Sequence, residues 1–278
     1  VYTVVEGNTD VADGGNAVVS LAFTDAAGNV GATTTSVTLS SESIDATKPT
    51  ISGVTVADGT YKIGDTATVT ITAGNSETGL TVSSATFNGE TLSSLTDNSD
   101  GTYTGVYTVV EGNTDVADGG NAVVSLAFTD AAGNVSATTT SVTLSSESID
   151  ATKPTISGVS ITDSAMNIGD VVTATITVGN AAGQVLTLSS GTIGGFTLGS
   201  LSRVSDTSYT ATFTVTDGGT DVASGADIPV SLVLADPAGN TSATYSTAIS
   251  QSSDSIDANA PTISGVSITD SAMNIGDV

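Results

Sequence analysis

The chain has no cysteine, no histidine and no tryptophan, and four basic residues stand against 29 acidic ones. Each gap removes a class of chemistry. Without Cys there are no disulfides, thiol nucleophiles or thiolate metal sites. Without His the commonest general base is missing, and with it the usual imidazole metal ligand. Arg203 is the single arginine, so neither a Ser-His-Asp triad nor an arginine clamp can be assembled. Two carboxylates could still form a glycosidase pair, but the acids recur in equivalent loops instead of meeting in one singular cleft. The chain therefore reads as no enzyme. A net charge of −25 leaves no basic cluster for phosphate, which excludes nucleic acid and anionic membrane surfaces. No apolar run approaches the ~18 residues that a membrane-spanning helix needs, so direct membrane insertion of this segment is not expected.

What the chain does contain is repetition. Residues 1–54 and 106–159 are the same sequence except for Gly31 against Ser136, at an offset of 105. A more divergent copy follows. Ser148-Ile149-Asp150 returns as Ser255-Ile256-Asp257, and Ile156–Val171 returns unchanged as Ile263–Val278. A period near 100 residues means whole domains, not the 20–50-residue elements of a solenoid. The phrase Ser-Ile-Asp-Ala-x-x-Pro at Ser43, Ser148 and Ser255 marks the natural cuts. It divides the chain into a C-terminal part of a repeat (1–42), two whole repeats (43–147 and 148–254) and an N-terminal part of a further one (255–278). Neither partial piece is long enough to bury a core of its own, as expected of a window on a longer protein.

Within residues 43–147 the apolar pattern has period two. Ile51–Val56, Ala67–Ile71 and Thr102–Val109 alternate apolar and polar residues, and Ala122–Phe128 and Ala137–Leu144 are further runs rich in β-formers. Such runs of Val, Ile, Thr and Tyr predict half-buried strands. Ser84–Phe87 and Glu90–Leu95 add a hairpin across Asn88-Gly89, a strong two-residue turn signal. No segment has a period of 3.6. About seven short strands in about 100 residues, separated by turn clusters, predict an all-β chain of tandem immunoglobulin-like sandwiches joined end to end. The core falls to Val, Ile, Leu and Ala, with Phe87, Tyr103, Tyr107 and Phe128 as its largest members.

The acids fall in loops. In an antiparallel sandwich alternate loops lie at opposite ends. One end gathers Lys62–Asp65, Asn88-Gly89, Glu111–Gly120 and the exit Glu147–Asp150. The other gathers Gly74–Gly79, Asp97–Gly101 and Asp130–Asn134. Where one repeat meets the next, Asp65, Glu111, Asp115, Asp118, Glu147 and Asp150 are expected to face Asp206 and Asp236. Like charges ~4 Å apart cost about 1 kcal/mol even in water. A hard divalent cation relieves that repulsion, and Ca²⁺ takes six to eight oxygens from carboxylates, carbonyls and Asn side chains. The divergent copy keeps the carboxylates while changing Glu for Asp: Glu111 and Asp115 become Asp217 and Asp221, Asp130 becomes Asp236, and Glu147 and Asp150 become Asp254 and Asp257. With Asp25, Glu42 and Asp45 of the first copy, these are the candidate Ca²⁺ ligands. The competing reading is that they are ordinary Asx-turns and solvated loops. Asp97–Gly101 reads as a turn, because no Glu stands seven residues after Gly101.

Ser-Ile-Asp-Ala-x-x-Pro-Thr-Ile, a Gly-Asp strand entry and a late Asp-x-Ala-Gly-Asn together resemble the bacterial Ig-like repeats of giant Gram-negative surface adhesins, the extender regions of biofilm-associated and RTX-type adhesins. That resemblance implies a stalk of tandem domains on the bacterial cell surface, stiffened by Ca²⁺ at the junctions through Asp45, Asp150 and Asp257 in the linkers and Asp25, Asp130 and Asp236 in the late loops. The RTX nonapeptide itself does not occur. The expected partners are neighbouring repeats of the same chain. An alternative is a subunit of an extracellular filament or sheath, with other copies of the chain as lateral partners. A glycan- or ice-binding module is a third and weaker reading. Isopeptide cross-links are not expected, because Lys48 and Lys153 lie in linkers.

Overall fold

The computed structural model describes residues 1–251, 255–268 and 271–276; Asp254, a candidate ligand, and Asp277 lie outside them. The chain divides into two units, Val1–Thr152 and Lys153–Val278. Both are built of Ig-like β-sandwich repeats, with no α-helix among the described residues.

In the first unit β1 (Asn16–Leu21) and β2 (Thr34–Thr38) form an antiparallel pair. The whole repeat then begins with β3 (Ile51–Val56), β4 (Gly59–Lys62), β5 (Thr66–Ala73), β6 (Thr81–Phe87) and β7 (Glu90–Thr91). It continues with β8 (Ser93–Asp97), β9 (Thr102–Thr108), β10 (Asn121–Thr129), β11 (Thr139–Thr143) and β12 (Glu147–Asp150). One sheet runs β3-β5-β9-β8 and the other β11-β10-β6-β7. Strand β5 shows why the sheets close on one another: Ala67, Val69, Ile71 and Ala73 are all buried, while the Thr residues between them are not. A strand that alternates in this way has one face to bury, and a second sheet buries it.

The expected core aromatics are all buried. Phe87 packs on Tyr107 with ring centroids 4.9 Å apart, and Tyr103 on Phe128 at 4.7 Å. The Tyr103 hydroxyl reaches the end of the sandwich, where it accepts from the Leu80 N–H at 2.9 Å and donates to the Glu77 carbonyl. Asn88-Gly89 does join β6 to β7. The strand expected over Glu90–Leu95 is broken, however: β7 stays with β6, and β8 crosses to pair with β9. Ser94, at φ 52°, lies where the register slips. Strand β11 is shorter than the Ala137–Leu144 run. Two short strands were not among the expected seven, β4 and β12, and they pair with each other in parallel.

The second unit follows the same plan. Its strands are β13 (Thr155–Ile161), β14 (Met166–Asn167), β15 (Val171–Gly179), β16 (Thr187–Ile193) and β17 (Phe196–Thr197). Then come β18 (Ser202–Ser205), β19 (Ser208–Thr214), β20 (Val230–Ala235) and β21 (Ile256–Asp257). The sheets run β13-β15-β19-β18 and β17-β16-β20, and β14 pairs in parallel with β21. Tyr209 repeats the role of Tyr103, accepting from the Leu186 N–H and donating to the Gln184 carbonyl.

Candidate functional site

Each repeat folds its exit segment back along itself. Strand β12 lies against β4 in parallel register from Glu147 opposite Gly59 to Asp150 opposite Lys62. Ile149 also bridges Val116, and both Ile149 and Ala151 are buried in the core of the repeat they are leaving. In the second unit Ile256 bridges Val222, and Ile256 and Ala258 join that core. In the first copy Ile44 bridges Val11 and Ala46 is buried. The residues that open the Ser-Ile-Asp-Ala phrase thus close the repeat before it.

The acids of the Glu-Gly-Asn-Thr-Asp loop hold this segment. Asp115 Oδ1 accepts from the Ala151 N–H at 2.7 Å and from the Thr152 hydroxyl at 3.2 Å. Asp221 Oδ1 accepts from the Ala258 N–H at 2.7 Å, and Asp10 Oδ1 from the Ala46 N–H at 2.7 Å. From the other end of the loop, Glu6 accepts from the Lys48 N–H and Asp217 from the Ala260 N–H. The loop backbone adds a bond in each copy: the N–H groups of Gly7, Gly112 and Gly218 donate to the carbonyls of Ala46, Ala151 and Ala258. Glu111 occupies the Glu6 position beside Gly112. The result is a clamp whose Asp Oδ1 and Gly N–H bonds recur three times with the same atoms. Asp10, absent from the candidate ligands, belongs to it on the same terms as Asp115 and Asp221.

The remaining candidates also accept from nearby backbone. Asp45, Asp150 and Asp257 each take the N–H two residues on. Glu42 and Glu147 accept from the two preceding Ser N–H groups, and Glu147 does so while buried. Asp25, Asp130 and Asp236 cap the late loop, accepting from the backbone N–H of Asn29, Asn134 and Asn240 at 2.8 Å and from the side-chain amide of the same residue. The Asn29 hydrogen bonds hold the Asp25 carboxyl below the ordinary aspartate range. At Asp130 burial works the other way, but the Asn134 hydrogen bonds outweigh it and the carboxyl is again lowered.

The loops reach the ends that their alternation predicts. At the exit end Glu147, Asp58 and Asp65 lie around Tyr61, and they add to the burial that raises its hydroxyl. At the entry end Asp130 and Asp45 lie near Glu77, whose carboxyl is raised first by burial and then by these two charges. Asn134 donates its amide to the Asp45 carbonyl at 3.3 Å, so the exit of the first copy touches the late loop of the whole repeat that follows. Among the described residues no three acidic side chains converge closely enough to hold a metal ion by themselves. A cation beside Asp45, Glu77 and Asp130 would need main-chain carbonyls as well.

The period, the sandwich and the clamp describe one module, and most of it matches a known one. Residues 45–146 match the bacterial Ig-like domain family. Residues 1–42 repeat residues 106–147 except for Gly31, so they correspond to the end of the same domain. No curated protein matches the chain. Among solved structures, the adhesin FdeC of Escherichia coli is similar over 78% of this chain and 68% of its own, at 19% identity and a TM-score of 0.40. The fibronectin(III)-like modules of CbhA from Clostridium thermocellum are similar over 72% and 94%, at 17% identity and a TM-score of 0.30. The adhesin InvE of Yersinia pseudotuberculosis is similar over 72% and 58%, at 20% identity and a TM-score of 0.28.

The bacterial Ig-like repeat over 45–146 seals its exit end with a polar network. The Asn88 amide donates to the Tyr107 hydroxyl and the Thr114 carbonyl, and the Tyr107 hydroxyl donates to Asn113 Oδ1. Asn113 also accepts from the Val110 N–H and donates to Glu90. In the next repeat the four equivalent residues are Gly194, Phe213, Gly219 and Phe196. Two stacked phenyl rings, 6.0 Å apart and inclined by 12°, occupy the place. A Cβ on Gly219 would lie 2.6 Å from the Phe196 ring. Nothing in one copy read alone singles these residues out; their joint change between copies does.

Proposed function

We propose that the chain is a structural extender, a stretch of the stalk of a long bacterial cell-surface adhesin. The observation that supports this most directly is the threefold exit clamp. Because Ala46 and Ala151 are held by the repeat they leave, few residues remain before the next repeat starts, at Ile51 and Thr155. Pro49 and Pro154 stand among them, and proline fixes its own φ and restricts the residue before it. Short, pinned connections suit a spacer whose job is reach.

The test is length against copy number. Arrays of two, four and six repeats are measured by small-angle scattering. A stalk lengthens linearly, by ~40 Å per repeat for strands of eight to ten residues plus a short connection. Growth as the square root of copy number is the behaviour of a flexible tether and would overturn the proposal.

Ca²⁺ at the junctions is a second reading, favoured by the nearness of Asp130 and Asp45 to Glu77, whose carboxyl is raised by burial first and by these two charges after it. A cation there would be held by Asp45, Glu77 and Asp130 together with nearby carbonyls, and would stiffen the junction by removing their repulsion. Thermal unfolding of the full chain in 5 mM CaCl₂ and in excess EDTA tests it. A rise in Tm with Ca²⁺ that Glu77→Gln abolishes supports a site at this junction; equal Tm values leave the acids as backbone acceptors and surface charge.

A further inference from the structure

Asn88-Gly89 is the chain's single Asn-Gly pair. It forms the two-residue turn that joins β6 to β7, with both residues at positive φ, 48° and 92°. Such a turn requires positive φ at both positions, and that accounts for the residue types. It does not account for the burial. Turns run over the surface, yet Asn88 is 4% exposed. Its amide nitrogen donates to the Thr114 carbonyl at 2.8 Å and to the Tyr107 hydroxyl at 3.2 Å. A carbonyl can only accept, so the nitrogen side of the amide must face Thr114. That bond ties the turn to the loop whose next residue, Asp115, holds Ala151.

Asn-Gly is also the pair most prone to deamidate, because glycine leaves its own backbone nitrogen unshielded. We propose that Asn88-Gly89 is a self-modification site that the folded repeat withholds and that opening of its exit end releases. The Gly89 nitrogen attacks Asn88 Cγ and gives up its proton. As the N–Cγ bond closes a succinimide, the Cγ–Nδ2 bond breaks and ammonia leaves. Water then opens the imide at either carbonyl, leaving aspartate or isoaspartate at position 88. No oxidant or reductant is involved. In the folded repeat this path first requires the bonds to Thr114 and Tyr107 to break. Once modified, the position cannot resume them. A carboxylate has no N–H for the Thr114 carbonyl, and it brings a second negative charge into a network that already contains Glu90. Isoaspartate also adds a backbone atom to a turn whose flanks, Phe87 and Glu90, are paired. Opening of the exit end is thereby made irreversible. The next repeat has Gly194-Gly195 in this place and no amide to lose.

The full chain is held in mildly alkaline buffer, folded and in urea, and sampled over time. Cleavage after Glu77 and Glu90 releases residues 78–90, in which Asn88 is the single Asn, and mass spectrometry reads its conversion from amide to acid. Conversion is expected to be at least about tenfold slower in the folded chain, because attack needs the segment open. Tyr107→Phe removes one partner of the amide and keeps the ring, and Phe213 in the next repeat shows that the fold accepts phenylalanine there. Loss of one neutral hydrogen bond is expected to speed conversion in the folded chain about fivefold, with no change in urea. Asn88→Asp makes the product directly, and hydrogen exchange at residues 145–153 is expected to rise about fivefold or more. Failure of that repeat to fold in Asn88→Asp equally means that the modified turn is not accommodated. Three results would overturn the proposal: equal conversion folded and in urea, a folded-state rate in Tyr107→Phe that matches the parent, or exchange in Asn88→Asp that matches the parent.

Discussion

Removing the Asp115 carboxylate separates the clamp from a metal site. Its Oδ1 is the acceptor for the Ala151 N–H, and Ala151 is buried. In Asp115→Ala that donor loses its partner in a place where water does not readily replace it. An orphaned buried donor costs about 1–3 kcal/mol, which corresponds to a roughly 5- to 150-fold rise in the opening of the segment. Asp115→Asn keeps an acceptor oxygen but gives up the charge, and charge-assisted hydrogen bonds are about twice as strong as neutral ones, so about half the effect is expected. Native-state hydrogen exchange on peptides spanning 145–153 reads the opening directly. The chain supplies its own controls, since Ala46 and Ala258 are held by Asp10 and Asp221 and their protection must not change. The loss of protection must also be the same in CaCl₂ and in EDTA, because the bond is to backbone. Unchanged exchange at 145–153 in Asp115→Ala would refute the clamp, and an effect seen only with Ca²⁺ present would assign the carboxylate to the cation instead.

Other substitutions probe the remaining features. Ser136→Gly leaves the buried Phe128 N–H without its acceptor, an expected loss of ~1–3 kcal/mol, seen as a lower Tm for that repeat with Gly31→Ser as the reverse exchange. The raised Glu77 carboxyl binds its proton more tightly folded than unfolded. Its ionisation therefore destabilises the fold as pH rises above the ordinary value of 4.5, and Glu77→Gln raises Tm at pH 7 with no gain at pH 3. The lowered Asp130 carboxyl has the opposite sign: its stabilisation is present above 3.8 and lost as pH falls below it, so Asp130→Ala lowers Tm at pH 7 and the difference from the parent narrows at pH 2. Gly219→Asn drives a side chain into the Phe196 ring and lowers Tm, an overpacking cost of ~1–3 kcal/mol. Adding Gly194→Asn, Phe196→Glu and Phe213→Tyr restores the polar arrangement and recovers the loss.

The architecture was legible where it rests on local patterns. Period-two alternation located β3, β5 and β9, a run of β-formers located β10, Asn88-Gly89 located a turn, and the aromatics identified themselves as core because a sandwich this poor in large side chains must bury them. Strands β4 and β12 were not legible. Each has four residues, too few for a period, and their parallel pairing joins segments far apart in the chain. The break between β7 and β8 was hidden because the Glu90–Leu95 run continues while the backbone changes sheets. Asp25, Asp115, Asp130 and Asp236 lie in loops as read, whereas Glu147, Asp150 and Asp257 lie in the short strands β12 and β21; the role of all of them was ambiguous for a physical reason. A carboxylate in a Gly-rich turn suits a backbone N–H and a hard cation equally well, and residue type alone cannot separate the two.

The differences between copies help to separate them. At the clamp, Asp10, Asp115 and Asp221 are the same residue receiving the same bond, while the first loop acid alternates between Glu6 or Glu111 and Asp217. A bond from a side chain to a peptide N–H tolerates that alternation, because the longer side chain can fold back to meet its donor. Beside the clamp, Asn88, Glu90, Tyr107 and Asn113 are replaced together by Gly194, Phe196, Phe213 and Gly219. Hydrogen bonds among four polar groups give way to stacked phenyl rings, with two glycines leaving them room. Any one of these changes alone would orphan a polar partner or create a clash, so the set must change as a unit. Both versions leave Ala151 and Ala258 buried and the exit strand paired. What the two repeats preserve, through different side chains, is a sealed exit.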